Sequence, residues 1–82
     1  MKDYLIGLGF NLHKSTAAVD RFHKRVGDHA VHVMHFKNSP EEIHVSKFEF
    51  NEEAMDWCVV KEVTFTGSQH MDAKLFVQTL GI

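Results

Sequence analysis

Between Val19 and Phe36 apolar residues recur on alternate positions on both sides of Gly27-Asp28, as in two half-buried strands joined by a two-residue turn. With the turn at those two residues, Val26 faces His29, Lys24 faces Val31, Phe22 faces Val33 and Asp20 faces His35. Phe22, Val26, Val31 and Val33 then share one side of the ribbon. Arg21, His23, Arg25, Ala30, His32 and Met34 share the other. A helix over 16–26 competes with this reading, because Ser15 would cap it, Val19, Phe22 and Val26 would form a stripe, and Gly27 would follow its end. The hairpin is preferred because the patterns of two separate strands coincide in one register, a coincidence that the helix leaves unexplained.

The flanking segments extend the pattern. Asp3 to Phe10 places Leu5 and Leu8 at helical spacing, but Gly7 and Gly9 each cost about 1 kcal/mol in a helix interior, so only a short first helix is expected. Asn11 to Ala18 reads as a connection. After a turn at Asn38-Ser39-Pro40, Ile43 to Phe50 predicts a third strand whose apolar positions change phase between Val45 and Phe48. A bulge near Ser46-Lys47 is expected to reconcile them. The acidic loop Asn51 to Asp56 precedes a fourth strand, Trp57 to Phe65, in which Trp57, Val59, Val63 and Phe65 share a parity and Trp57 is expected to enter the core. Thr66-Gly67-Ser68 closes that strand and caps a final helix, with Asp72 in its first turn and Met71, Leu75, Phe76, Thr79 and Leu80 on one face. The expected fold is α+β: a small antiparallel four-stranded sheet flanked by a short N-terminal helix and a C-terminal helix, in the order α-β-β-β-β-α.

Length and composition narrow the class. Eighty-two residues without a Gly, Ser or Pro-rich linker predict a single domain, 1–82. So short a chain buries only about 60–65% of the surface its unfolded form exposes, which makes a homodimer a reasonable expectation. The apolar stretch Tyr4 to Phe10 is too short to span a membrane and lacks the flanks of a signal peptide. One cysteine, Cys58, cannot form an internal disulfide, and the reading is cytoplasmic. The net charge of −2 divides unevenly: residues 1–40 hold six Lys and Arg against three Asp, and residues 41–82 hold three Lys against eight Asp and Glu. Five of the seven histidines lie in the basic half, so acidification widens the contrast.

Candidate chemistry is sparse. His29, His32 and His35 are spaced H-x-x-H-x-x-H, but on a strand His32 faces away from the other two, so they cannot share a metal. The register does set His23 opposite His32, the basis for a reading as a histidine-based, metal-linked regulator. Two donors do not make a structural site, and no metal or other cofactor is expected. Arg21, His23, Lys24 and Arg25 make the basic 19–36 hairpin a candidate for nucleic acid, although few of these cations share a side and the acidic second half opposes a polyanion. No acidic pair, nucleophile–base spacing or glycine-rich phosphate loop supports catalysis, so no enzyme is expected. The remaining reading is a small non-catalytic protein-binding or regulatory module that occupies a surface of another protein, as accessory or inhibitor proteins of phages and mobile elements do. Its expected partner-binding residues are Arg21, His23, Arg25, His32 and Met34. Trp57, Met34 and Phe36 are of the types enriched at interface centres.

Overall fold

The computed structural model describes residues 2–37, 42–66 and 70–80. Helix α1 (Lys2–Gly7) leads into β1 (Asn11–Ser15), β2 (Val19–Val26), β3 (His29–Phe36), β4 (Ile43–Asn51), β5 (Asp56–Phe65) and helix α2 (His70–Thr79). The strands form one antiparallel sheet in sequential order β1-β2-β3-β4-β5. The α+β class stands, with five strands rather than four.

The β2–β3 hairpin has the expected register in full, from Val26↔His29 to Val19↔Phe36. Gly27 makes it possible: its φ of 59° lies in the left-handed region that a primed two-residue turn requires at its first central position. The connections at 38–40 and the cap at 67–68 lie outside the described residues.

Both helices pack on one side of the sheet, called here the inner side. Leu5 and Phe10 from the N-terminal segment and Ala73, Val77 and Leu80 from the C-terminal one meet Phe22, Val31, Val33, Ile43, Val45 and Phe65 of the strands. Fully burying a side chain of this kind contributes about 1.5–3 kcal/mol, and Phe22, the largest of the fully buried ones, sits at the centre. Tyr4 ties the helices together: its hydroxyl donates to the Lys74 carbonyl at 3.3 Å and accepts from the Gln78 amide at 2.6 Å. Gly9, at φ 93°, ends the α1 turn, and the Lys24 ammonium donates to the Leu8 carbonyl at 2.6 Å, occupying an acceptor that the helix end leaves open.

Five expectations need correction. Asn11–Ser15 is a strand rather than a connection. Its pairing with β2 passes from Leu12↔Phe22 to Lys14↔Arg21, so His13 is an extra residue and the alternation is broken where it would have been read. In β4 no residue is inserted at Ser46-Lys47. The strand alternates without interruption while β5 carries the extra residue, because Lys47 pairs with Lys61 and Phe48 with Val59, leaving Val60 out. The bulge also divides β5, so Val63 and Phe65 face inward while Trp57 and Val59 face the opposite side. On α2 the buried stripe is Ala73, Val77 and Leu80 with Phe76 half-buried, whereas Met71 and Leu75 are exposed. Finally, Val26 lies on the inner side but is 51% exposed, because the core ends at Val31 and Val45 and does not reach the turn.

Candidate binding face

The side of the sheet opposite the helices is open. Register and alternation place on it Arg21, His23 and Arg25 of β2, Ala30, His32, Met34 and Phe36 of β3, His44, Ser46, Phe48 and Phe50 of β4, and Trp57, Val59 and Glu62 of β5. All five residues expected from the sequence to bind a partner are therefore on one face.

The uninterrupted alternation of β4 determines the character of that face. Ile43 and Val45 point at the helices, and Phe48 and Phe50 point away from them. Beyond Val45 the inner side turns polar, with Lys47, Glu49 and His29, whose Nδ1 lies 3.4 Å from a Glu49 carboxylate oxygen. The open side turns apolar over the same stretch. Phe50 packs edge-on against Trp57 at 5.6 Å between ring centroids, and the Arg25 guanidinium lies 5.1 Å from the indole centroid. Half of the sheet thus carries its apolar residues away from the helices rather than toward them.

Two hollows mark the face. The larger, of about 390 Å³, is lined by His13, Arg21, His23, His32, Met34 and Phe48 among others. The smaller, of about 290 Å³, lies over Ala30 between Arg25, Trp57, Phe48 and the same two β2–β3 histidines. They adjoin one another, both being lined by His23, His32 and Phe48, and together they are called the depression here. Arg21 and Met34 border its first part, Arg25 its second, and His23 and His32 both.

A row of rings runs across the strands where the two hollows adjoin. His13 and His23 are 5.3 Å apart between centroids, His23 and His32 5.8 Å, and His32 and Phe48 4.8 Å. Burial in the row holds the His32 imidazole below its ordinary pKa of 6.5, with the neighbouring His23 and then His13 adding to the effect. Nδ1 of His23 is buried with no hydrogen-bond partner. The rings meet edge to face, His13 with His23 at 84° and His23 with His32 at 61°, and among the described residues no group of three or more His, Cys, Asp or Glu converges on a point that would hold a metal ion. Cys58 pairs with Glu49 on the inner side, and Glu49 stands between it and His29.

Sequence reasoning missed Phe48, Phe50, His13 and His44 on this face and placed Trp57 in the core. The change of apolar phase within β4 was the available signal: read as a strand that keeps its alternation, it puts two phenylalanines on the far side. Among the described residues no helix is long and apolar enough to cross a membrane. Comparison of the chain with protein-family models, with curated proteins and with solved structures finds no match.

Proposed function

We propose that this chain is a non-catalytic binding module that acts by covering a surface of another protein with the open face of its sheet. The observation that carries the proposal is that β4 keeps its alternation, which puts Phe48 and Phe50 on the open side, while the extra residue Val60 in β5 brings Trp57 to the same side beside Arg25. Aromatic residues and arginine around a depression are the composition of energetically dominant interface centres. Sheet edges are a weaker candidate. Each edge strand carries a bulge, at His13 in β1 and at Val60 in β5, and bulges disfavour strand-to-strand joining.

A second copy is not the favoured occupant of this face, since Lys14, Arg21 and Arg25 of two chains would then oppose one another. Self-association, expected for so short a chain, would use another surface; Ile6, Met71 and Leu75 are the large apolar side chains exposed on the helices. The protein is read as an accessory or inhibitory factor working in a reducing compartment, which suits its exposed thiol, Cys58.

Capture of partners from the cells that make the protein tests this reading. The wild type is compared with an Arg21→Glu, Met34→Asp, Trp57→Ser variant and with a Lys2→Glu control, each checked for folding by circular dichroism. Loss of the captured partner in the open-face variant alone supports the proposal. Retention of the partner by that variant contradicts it.

A second reading, single-stranded nucleic acid, is favoured by one observation: rings and arginine on an open antiparallel face are surfaces on which bases stack. It is disfavoured by the small number of permanent cations there and by Glu62 and the loop acids Glu52, Glu53 and Asp56 near the Trp57 end.

A further inference from the structure

We propose that the depression is a proton-coupled receptor for an acidic segment of a partner protein, one that brings carboxylates to the histidine row and apolar side chains to Phe48 and Trp57. The inference rests on the open-face reading and adds the chemistry of the partner and the control of its binding.

The charges facing the row select the sign of the occupant. β1 contributes Lys14 and His13, β2 contributes Arg21 and Arg25 on either side of His23, and β3 contributes His32 itself. β4 contributes His44, whose Nε2 lies 3.2 Å from a Glu42 carboxylate oxygen and is thus already matched with an anion. Glu62 of β5, paired with Ser46, and Glu42 beside His44 are the acids on this side. The side therefore carries three fixed cations and four histidines against two carboxylates, one of them already beside His44. An anion fits it: Arg25 lies over Trp57 and donates to the Gly27 carbonyl at 3.1 Å, and an apolar surface alone would offer nothing to Arg21.

Size and shape favour protein over nucleic acid. Hollows of about 390 and 290 Å³ accept a few side chains. A phosphate backbone would meet only Lys14, Arg21 and Arg25 before reaching the acidic loop. A short segment with two or three carboxylates and one or two aromatic or aliphatic anchors satisfies both the cations and the rings.

Proton coupling follows from the spacing. The three imidazoles stand in a row, 5.3 and 5.8 Å apart, and burial, with His23 and His13 beside it, holds the His32 ring below its ordinary pKa in the free protein. A carboxylate set among them favours the charged form and draws a proton in. By linkage, binding then tightens as pH falls through the histidine range.

The test uses a set of blocked, tryptophan-free twelve-residue peptides with four glutamates and two phenylalanines in varied spacings, glutamine-for-glutamate controls, and a twelve-nucleotide oligothymidine. Trp57 is the single tryptophan, so its emission reports occupancy directly. Glutamate peptides should bind, with affinity at least about fivefold higher at pH 6.0 than at 7.5, a range in which glutamate stays ionised and histidine does not stay neutral. His23→Gln and His32→Gln, made singly and together, should flatten that pH dependence, and the glutamine peptides should not bind. Failure of every glutamate peptide at both pH values, binding that ignores pH, or binding of oligothymidine alone would overturn the inference. If the open-face variant loses its captured partner while these peptides fail, only the chemistry assigned to the partner is wrong.

Discussion

Arg25 on β2 and Trp57 on β5 reach toward one another over β3 and β4, so that the guanidinium lies 5.1 Å from the ring centroid. The span is open because the residue paired with Arg25 on β3 is Ala30, whose methyl group leaves the hollow beneath the stack. An exposed cation–π pair of this kind contributes about 0.5–1 kcal/mol. Arg25→Ala should lower the unfolding free energy in urea by that amount and change the emission of Trp57, whereas Arg25→Lys should lose less. An Arg25→Ala protein with unaltered emission would show that the stack is not populated in solution.

The relation between Arg25 and Trp57 also separates what could be read in the sequence from what could not. The β2–β3 hairpin was legible to the residue, because two strands of eight and a turn glycine admit one register that keeps both apolar sets together. β1 was not, because its sequence NLHKS has one apolar residue and a bulge at His13 that removes the period. The placement of Trp57 depended on Val60 being an extra residue, a matter of pairing between strands that no single-strand pattern contains. The five site residues were legible because they lie on the hairpin. The phenylalanines beside them were not, because a strand that changes apolar phase is normally read as bulged rather than as serving two sides in turn.

His32 makes the fold sensitive to mild acid. Its pKa is depressed in the folded chain, chiefly by burial, so below about 6.5 the unfolded chain binds more protons than the folded one. Stability is therefore unaffected by this group above 6.5 and declines as pH falls through 6.5 toward the folded value. His32→Gln should lose less stability than the wild type between about pH 7.5 and 5, as followed by thermal unfolding. Parallel declines in the two proteins would contradict the assignment.

At the other end of the sheet, the Asp20 carboxylate accepts a hydrogen bond from Ser15 and lies 3.2 Å from the Lys37 ammonium. The Ser15 bond lowers its pKa below the ordinary 3.8, burial opposes the shift, and Lys37 adds to it. A depressed carboxylate pKa stabilises the folded state in full above 3.8, and that contribution is lost as pH falls from 3.8 through the folded value. Ser15→Ala should be less stable than the wild type at pH 7, and the difference should shrink as the pH is taken from about 5 to 2. A difference that persists in acid would point to a role for Ser15 other than its bond to Asp20.

Met55 occupies the left-handed region at φ 52° in the loop between β4 and β5 while its side chain is 75% exposed. That conformation costs roughly 1–2 kcal/mol for an ordinary side chain and less for asparagine, and little packing is lost with the thioether. Met55→Asn should raise the unfolding free energy, by about 0.5 kcal/mol or more, without disturbing the Asn51 side-chain oxygen Oδ1, which accepts from the Glu53 and Ala54 amides. A lower melting temperature would show that Met55 makes a contribution its exposure does not reveal.

The central claim is that the functional surface is the helix-free face where apolar side chains emerge past Lys47. Hydroxyl-radical footprinting of the protein alone and bound to its captured partner measures this most directly, because Met, Trp and Phe are readily oxidised when solvent reaches them. Binding should protect Met34, Phe48 and Trp57 and leave Met71 and Leu75 on the helix side as reactive as before. Protection of Met71 and Leu75 with undiminished oxidation of Trp57 and Met34 would place the interface on the opposite side of the molecule and contradict the account.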